Sequence, residues 1–403
     1  MKPIVRAGRM KPVHSDIRGP LFVEAMKRQK QGIDILKLNT GNPATFGFGL
    51  PDSIKNALME HMQDGVGYCD FKGMPQARQA ICDYETSKGI KGITPDDVFI
   101  GNGVSEVVSF ALTPLLNDGD EVLVPSPSYS LWGNSVYLED GKPVFYTCDE
   151  QANWYPDIQD IRSKITDKTK AIVIINPNNP TGVLYPKELL LEIIQIARES
   201  GLLIFADEIY DRLVMDGKQH ISLASLTEDV PVITLNGLSK SHCLCGYRCG
   251  WMVISGPREL TEDYRQGIIQ LTSLRLCANT MAQIVIPAAL DDMETPASMV
   301  RPGGRIYEQR EATVRELEKI DGLSFVKNDA AFYVFPKLDV KKFNITNDKQ
   351  FAHDLLDATN ILLVPGSGFD WKDPDHFRIV MLPQADILSD AIRRMGTFLD
   401  GYK

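Results

Sequence analysis

The sequence predicts an α/β protein with a doubly wound, mostly parallel sheet and a smaller α+β domain. Apolar runs in the middle of the chain lack polar alternation, as strands covered on both faces do. Segments of helical periodicity separate these runs, and such strand–helix–strand repetition indicates a mostly parallel sheet. The predicted strands span residues 98–101, 121–125, 144–148, 171–176, 202–207 and 232–235.

The clearest predicted helix is KELLLEIIQIARESG, residues 187–201, in which leucine and isoleucine recur at helical spacing before a terminating Gly201. After about residue 290 the pattern changes to mixed helices and short strands. These are helices near 305–320 and 349–358, a strand over 330–338, short strands in ILLVPG and HFRIVML, and a final helix. We predict a large domain of residues 46–290 and a small domain of residues 1–45 with 291–403.

Composition restricts the possible partners of the chain. The 403 residues carry a formal net charge of −10, and no run of five like charges suggests a basic arm, which argues against nucleic acid as a partner. The N-terminus lacks the apolar segment of a signal peptide, and no stretch of eighteen apolar residues suggests a membrane span. We therefore expect a cytoplasmic protein with no membrane partner.

Three of the seven cysteines lie in the stretch GLSKSHCLCGYRCGW, residues 237–251. A zinc site built from His242, Cys243, Cys245 and Cys249 is one interpretation. The C-x-C-x3-C spacing is too short to surround one tetrahedral ion comfortably, so we expect no metal and interpret the thiols as small packing groups. The odd number and uneven spacing of the seven cysteines favour reduced thiols. Lys240, in the same stretch, needs another explanation.

The loops that follow predicted strands are the place to look for chemistry, because ligands of doubly wound sheets bind at the carboxyl ends of the strands. In IGNGVSEVVSFAL, Ser105 lies near the start of a helix, which suits a phosphate, although a tight turn with a serine cap explains it equally. In PSPSYSLW, Tyr129 could cover a planar ligand or simply pack. In NPNNPTG, Asn179 either faces inward or belongs to a structural turn.

Charged residues follow the next two strands. The apolar run LLIFADEIY ends with Asp207, and a carboxylate emerging from such a run needs a partner because burying an unpaired charge is costly. The next strand ends in NGLSK, so that Lys240 and Arg248 follow it closely. Pyridoxal 5'-phosphate (PLP) suits the whole set, since it requires a lysine for its aldehyde, an acid for its ring nitrogen and donors for its phosphate.

Motifs in this order resemble those of the class I/II group of fold-type I PLP-dependent aminotransferases, and within it the bacterial alanine (glutamate-pyruvate) aminotransferases. The resemblance covers nearly the full chain and implies PLP as cofactor, amino acids and 2-oxo acids as substrates, and a homodimer with active sites at the subunit interface. The motifs are SDIRGP, LNTGNPA, GYCDFKG, IGNGVSE, IINPNNPTG, FADEIYD, NGLSK and FRIVMLP.

The resemblance implies a role for each residue around the cofactor ring. Lys240 looks like the lysine that bonds to the cofactor aldehyde and moves a proton, a task that a neighbouring cation would assist by depressing its pKa. Asp207 resembles the partner of the pyridine nitrogen. Asn179 and Tyr210 match the residues that hydrogen-bond the ring hydroxyl, and Tyr129 matches the ring that stacks on the pyridine.

For the phosphate, the resemblance implies a cradle made by Arg248, Ser239 and the backbone N–H groups of Val104 and Ser105. Arginine suits this position because its planar fork holds phosphate in a bidentate manner. Tyr68 resembles the tyrosine that reaches the phosphate of the neighbouring subunit.

For the substrate, Arg378 looks like the residue that binds the α-carboxylate, assisted by Asn179 and the main chain at Gly41. A surface arginine beside Asp375 is the alternative. Arg18 is the candidate for the side-chain carboxylate of glutamate, with a structural ion pair at a helix entry as its alternative. Close relatives often carry tyrosine where this chain has Ser15, a change that would widen the pocket.

The function we predict is transfer of an amino group between L-alanine and 2-oxoglutarate by a ping-pong route. An aminotransferase of different amino-acid specificity or a cystathionine-type β-lyase remains the alternative, since this fold hosts several reactions. A PLP-sensing regulator would require a DNA-binding domain in front of Ser15, for which we expect no room. A nicotinamide dehydrogenase would require G-x-G-x-x-G, and GNGVSE lacks the third glycine.

Overall fold

The computed structural model describes residues 2–402, which form strands, α-helices and short 3-10 helices. The strands are β1 (Leu36–Lys37), β2 (Val98–Asn102), β3 (Glu121–Ser126), β4 (Lys142–Asp149), β5 (Tyr155–Pro156), β6 (Thr169–Ile175), β7 (Leu203–Asp207), β8 (Val232–Gly237), β9 (Cys249–Ser255), β10 (Leu323–Ser324), β11 (Tyr333–Val334), β12 (Lys337–Leu338), β13 (Ile361–Leu362), β14 (Val364–Pro365) and β15 (Phe377–Val380).

The α-helices are α1 (Pro20–Lys30), α2 (Asp52–His61), α3 (Pro75–Ser87), α4 (Val104–Leu112), α5 (Leu131–Leu138), α6 (Ile158–Lys164), α7 (Lys187–Ser200), α8 (Leu238–Ser241), α9 (Arg258–Arg275), α10 (Thr280–Gln283), α11 (Ile286–Asp291), α12 (Glu294–Val300), α13 (Arg305–Leu317), α14 (Asp348–Thr359) and α15 (Ala385–Gly401). The 3-10 helices are Gly8–Met10, Pro43–Phe46, Met62–Gly65, Pro95–Asp97, Glu150–Ala152, Leu223–Leu226 and Gly366–Phe369.

The central sheet has eight strands in the order β2-β9-β8-β7-β6-β3-β4-β5. The strands β4, β3, β6, β7 and β8 pair in parallel, whereas β9 is antiparallel to both of its neighbours and β5 is antiparallel to β4. Side chains of β6 enter two different hydrophobic cores, one on each face of the sheet. This arrangement confirms the predicted doubly wound, mostly parallel sheet, and it explains why β6 is apolar throughout.

Helix α7 follows its predicted bounds closely. Its buried side chains, among them Leu190, Ile193 and Ile194, face one core, while the opposite side carries charged residues. The helix ends at Gly201, whose φ of 64° lies in the left-handed region that glycine adopts without steric cost. Hydrophobic spacing and the terminating glycine were therefore sufficient to locate this element.

Two elements differ from the sequence-based expectation. Strand β9 was not predicted, because it begins with the polar and cysteine-rich end of the stretch 237–251, yet all its residues are buried. The single strand expected over 330–338 is divided into β11 and β12. Ala331, with a positive φ of 58°, lies before the start of β11. Pro336 lies between β11 and β12 and has no N–H to donate to a ladder, so continuous pairing is interrupted there.

The N-terminal and C-terminal parts of the chain share a separate hydrophobic core. Strand β1 pairs in parallel with β13, placing Leu36 opposite Ile361. Leu38 packs in the same core as the inner faces of α14 and α15. These contacts accord with a small α+β unit made from both ends of the chain, and the domain boundaries at 46 and 290 remain a prediction.

Among residues 2–402, we find no helix whose length and hydropathy would allow it to span a bilayer. All seven cysteines lie within this range as unpaired thiols.

Candidate functional site

Several of the predicted site residues lie near the ends of β7 and β8. Asp207 is the last residue of β7, and Lys240 lies in α8, directly after β8. The loop after α8 returns the chain into β9, which pairs with β2, so that Asn102 lies opposite Cys249. The antiparallel strand therefore carries Arg248 to the start of α4.

Lys240 projects into the site and donates from Nζ to the Gly41 carbonyl over 2.9 Å. The Sγ atom of Cys245 lies 3.9 Å from the same nitrogen. Burial favours a lower pKa for Lys240, but the nearby Tyr333, Cys245 and Tyr129 outweigh it and raise the pKa above its usual value. The depressed pKa expected from the sequence is therefore wrong for this structure, because polar groups that favour the ammonium surround Nζ.

Asp207 is buried, and its carboxylate accepts two hydrogen bonds. Trp132 donates from Nε1 to Oδ2 over 3.1 Å, and the Ile209 N–H donates to Oδ1 over 3.4 Å. Burial raises the pKa of Asp207 to about 6, against the opposing effect of the Trp132 hydrogen bond. A buried carboxylate without a cationic partner is suited to pair with a positively charged ring nitrogen.

Arg378 lies in β15 and is buried, with no carboxylate within ion-pair distance in the described part of the chain. One Nη atom donates to Asn179 Oδ1 over 2.9 Å, the other donates to the Asn39 carbonyl, and Nε has no partner among residues 2–402. The rings of Tyr333 and Phe369 lie 4.5 and 4.6 Å from the guanidinium carbon. Because an uncompensated buried charge costs several kcal/mol, the arrangement is suited to an external anion.

The alternative for Arg378, a surface arginine beside Asp375, is wrong. Asp375 pairs instead with His376 over 2.7 Å and with Lys337 over 3.5 Å.

Tyr210 lies on the turn after β7, and its hydroxyl shares a 2.9 Å hydrogen bond with the hydroxyl of Tyr333. The Tyr333 side chain passes so close to Gly41 that a Cβ at this glycine would lie 2.2 Å from the tyrosine oxygen. Gly41 therefore has to be glycine for the 38–44 segment to approach the tyrosines and Lys240.

The start of α4 offers backbone donors beside a guanidinium group. The N–H groups of Val104 and Ser105 make no hydrogen bond to any described residue, as expected for the first turn of a helix. Arg248 packs over Gly103, where a Cβ would lie 2.4 Å from Nη2. On the other side, a Cβ at Gly250 would lie 2.4 Å from the Val104 nitrogen. Two glycines thus make room for a cationic cradle that suits phosphate.

Tyr129 and Ser239 also reach this region. Tyr129 is partly buried in the loop between β3 and α5, close enough to both Lys240 and Arg378 to affect their pKa values. Ser239 directly precedes Lys240, and its carbonyl accepts the Cys245 thiol over 3.0 Å. Both therefore lie near Lys240, and their roles toward a cofactor remain a prediction.

Two predicted site residues, Tyr68 and Arg18, do not lie with the residues around Lys240. Tyr68 is 83% exposed and faces solvent. Arg18 is exposed and makes neither an ion pair nor a side-chain hydrogen bond within residues 2–402, so the ion pair considered as its alternative is not found. The neighbouring Ile17 carbonyl accepts from Asn39, whose own carbonyl accepts from Arg378.

The cysteines of the stretch 237–251 are separated rather than gathered around an ion. Burial raises the pKa of the Cys243 and Cys249 thiols to about 12, which leaves them as neutral packing groups. Within residues 2–402, the one group of side chains close enough to share an ion is Glu208, Asp211 and His220, and it contains no cysteine.

Sequence reasoning missed Trp132, which hydrogen-bonds Asp207, and Tyr333, which hydrogen-bonds Tyr210. Trp132 lies in PSPSYSLW, three positions after Tyr129. The strand-end argument that pointed to Tyr129 could therefore also have identified Trp132. Tyr333 lies in the 330–338 run, whose apolar pattern indicated only packing. No local signal distinguishes such a tyrosine from a core residue.

The fold and the clustered lysine, carboxylate and arginines define a class of enzyme, and comparison with known families agrees. Residues 33–392 match the family described as aminotransferase class I and II, and the chain belongs to this family.

Its relatives are similar over essentially the full length. The glutamate-pyruvate aminotransferase AlaA of Haemophilus influenzae is 50% identical over 403 residues, covering all of both chains. The alanine aminotransferase of Mycobacterium tuberculosis is 44% identical, covering all of this chain and 94% of the relative. A crystal structure of an aminotransferase from Escherichia coli superimposes with a TM-score of 0.98 at 47% identity, covering all of this chain and 99% of that one.

Proposed function

We propose that this chain is a PLP-dependent transaminase that transfers an amino group between L-alanine and 2-oxoglutarate by a ping-pong mechanism. The observation that carries the proposal is Arg378, a buried guanidinium with no carboxylate partner among residues 2–402, which lies near Lys240. Amino acids and 2-oxo acids both supply the missing carboxylate. The names of the relatives, alanine and glutamate-pyruvate aminotransferase, support the choice of substrates.

The side chains fit PLP as a donor set. The cradle formed by Arg248 and the N–H groups of Val104 and Ser105 would hold the phosphate, with Ser239 beside it. Asp207 would hold the ring nitrogen, Asn179 and Tyr210 would hold the ring hydroxyl, and Tyr129 would cover the ring. The chemistry that the cofactor supplies when bound is an aldehyde that takes up the amino group and a ring that withdraws electrons from the substrate Cα.

In this proposal, Lys240 is the group that moves the proton. Its Nζ would accept the proton of the substrate Cα and deliver it to the aldehyde carbon of the cofactor, acting as general base and then as general acid. The Gly41 carbonyl, 2.9 Å away, orients the amine for this task. Asp207 stays ionised above about pH 6 and so provides the negative charge that keeps a proton on the ring nitrogen.

Substrate binding would use two arginines. Arg378 binds the α-carboxylate, which both substrates of either half-reaction possess, with Asn179 and the Gly41 segment beside it. Arg18 would meet the second carboxylate of glutamate or 2-oxoglutarate. Its exposed, unpaired guanidinium can move toward a dicarboxylate and leave the site open for alanine.

We propose that the enzyme is a homodimer. Apolar side chains are exposed on two neighbouring segments: Val66 is 75% and Tyr68 83% exposed on one, and Leu274 is 82% exposed on the other. Hydrogen bonds join these segments, including that from the Thr280 hydroxyl to the Gly65 carbonyl over 2.5 Å. Exposed apolar side chains on adjoining segments are typical of a subunit interface.

We propose a cytoplasmic location and the division into residues 46–290 and residues 1–45 with 291–403. The seven unpaired thiols accord with a reducing compartment. The core shared by the N-terminal and C-terminal segments accords with the domain division.

The test is the absorption spectrum of the purified protein after addition of PLP, before and after L-alanine is added without an oxo acid. We expect a visible band that L-alanine abolishes, with about one pyruvate formed per bound cofactor and no ammonia. A protein that acquires no band would refute the PLP proposal. A band that alanine leaves unchanged would refute alanine as substrate, and continuous pyruvate and ammonia release from cystathionine-like substrates would indicate a β-lyase.

A further inference from the structure

Lys88 follows the C-terminus of α3 and places its ammonium among three carboxylates. Its Nζ lies 2.6 Å from Glu85, 2.7 Å from Glu208 and 3.2 Å from Asp211. Only 13% of the Lys88 side chain is exposed, and the three carboxylates are buried. One ammonium thus compensates a group of buried acids that would otherwise repel each other.

Two of these carboxylates belong to the turn that carries the proposed catalytic residues. Glu208 directly follows Asp207, and Asp211 directly follows Tyr210. The other oxygen of Glu208 accepts from the Ser222 hydroxyl over 2.8 Å, so this side chain is fixed at both ends. Movement of Glu208 or Asp211 would therefore be transmitted directly to the neighbouring residues.

The same group is linked to the turn that carries Lys240. Asn236, in β8, donates from its side chain to Asp211 Oδ2 over 2.7 Å. Its side-chain oxygen accepts the Gly237 N–H over 2.7 Å, and Gly237 immediately precedes α8. Lys88 is thus connected to Lys240 through Asp211, Asn236 and the backbone at the start of α8.

We propose that Lys88 is a positioning residue, which holds the turn of Asp207 and Tyr210 and the turn of Lys240 in the arrangement that binds the cofactor. The inference rests on the proposed function. The charge of Glu208 contributes to raising the pKa of Asp207, so compensation of Glu208 by Lys88 also helps Asp207 to remain ionised.

The experiment compares wild type, Lys88→Met and the double variant Lys88→Met/Glu85→Gln. The double variant removes one positive and one negative charge, so it restores the net charge of the group without restoring the contacts to Glu208 and Asp211. Its glutamine can still accept from Trp251, which donates to Glu85 over 3.1 Å. Lys91→Met is the matched control, because Lys91 is an exposed lysine nearby that pairs with Glu228.

The measured quantities are the dissociation constant of PLP, the pH at which the visible band of the bound cofactor titrates, and the urea midpoint of unfolding. We expect both Lys88 variants to bind PLP at least about tenfold more weakly and to shift the titration by at least about half a pH unit. We expect the double variant to regain part of the urea midpoint, and Lys91→Met to match wild type.

Wild-type PLP affinity and titration in Lys88→Met would overturn the inference, and so would their full recovery in the double variant, since Lys88 would then only balance charge. Should neither Lys88 variant fold, Asn236→Ala supplies the test: weaker PLP binding supports the link to Lys240, and unchanged binding overturns it. A wild-type chain that binds no PLP refutes the proposed function itself, so the two failures are distinguishable.

Discussion

Two buried charges, those of Asp207 and Arg378, have no oppositely charged partner within ion-pair distance in the described part of the chain. Folding alone does not favour such residues, since each imposes a desolvation cost and lacks an ion pair to offset it. Asp207 lies at the end of β7 and Arg378 lies in β15. Each charge is available to a ligand of opposite charge, so ligand binding can offset the desolvation cost.

Asp207→Ala should lower kcat/KM by about a thousandfold, because it removes a fixed charge from a desolvated site. Stability should change by no more than about 1 kcal/mol, since the loss of the Trp132 hydrogen bond is offset by removal of a buried carboxylate. Steady-state kinetics and urea unfolding measure the two effects. Asp229→Ala, which changes an exposed aspartate paired with Arg198, serves as the control, and wild-type turnover in Asp207→Ala would contradict the assignment.

Arg18→Ala should raise the KM for glutamate about tenfold more than the KM for alanine, because only glutamate has a second carboxylate to lose its partner. Initial rates in both directions provide the comparison. Equal changes for the two amino acids would show that Arg18 does not read the side-chain carboxylate.

At the scale of elements, His14 attaches the N-terminal segment to helix α5 and to the loop after the 3-10 helix Gly366–Phe369. Its ring lies 3.3 Å from Asp16 and 3.0 Å from Asp370, and its backbone N–H donates to Asn134 over 3.1 Å. Hydrogen bonds to Asp16 and Asp370 raise the pKa of His14 to about 9. The segment that includes Arg18 is therefore held by an imidazolium at neutral pH.

This attachment should depend on pH in a defined direction. The pKa of His14 is higher in the folded chain than its usual value of about 6.5, so the contribution is complete below that value and is lost as pH rises through about 9. Hydrogen–deuterium exchange of residues 8–18, normalised to intrinsic rates, should increase between pH 7.5 and about 10. The increase should vanish in His14→Gln, and a pH-independent normalised rate in wild type would exclude the mechanism.

Elements with a regular pattern could be predicted from the sequence, and those shaped by tertiary contacts could not. The apolar residues of α7 recur at helical spacing, and those of β6 form a short continuous run, so each pattern indicates the element that the structure contains. Strand β9 was missed because its first residues belong to the polar site stretch. Motif order located Lys240 and Asp207, but the hydrogen bond of Tyr333 depends on a contact between segments far apart in the chain.

At the scale of the whole molecule, the exposed apolar surface of Val66, Tyr68 and Leu274 marks the proposed subunit interface. If the proposed dimer forms through this surface, Leu274→Asp should convert it largely to monomer, because a carboxylate cannot be buried there without a partner. Activity should fall with it, since Tyr68 would lose the neighbouring site. Sedimentation velocity at micromolar protein measures the change.

Leu260→Asp is the matched control for this prediction, because Leu260 is 64% exposed at the other end of the same helix, α9. It should remain dimeric. A dimeric, fully active Leu274→Asp protein would place the interface elsewhere.

The position of β2 at one edge of the central sheet affects how the chain acquires its shape during synthesis. This strand pairs only with β9 among the described strands, and β9 leaves the ribosome much later. The parallel strands that lie between β2 and β9 in the sequence can assemble first. Val98–Asn102 and the start of α4 can take their final positions only after Cys249–Ser255 has been synthesised. Pairings between such distant segments form slowly, so the proposed phosphate cradle should form only after the parallel strands of the central sheet have assembled.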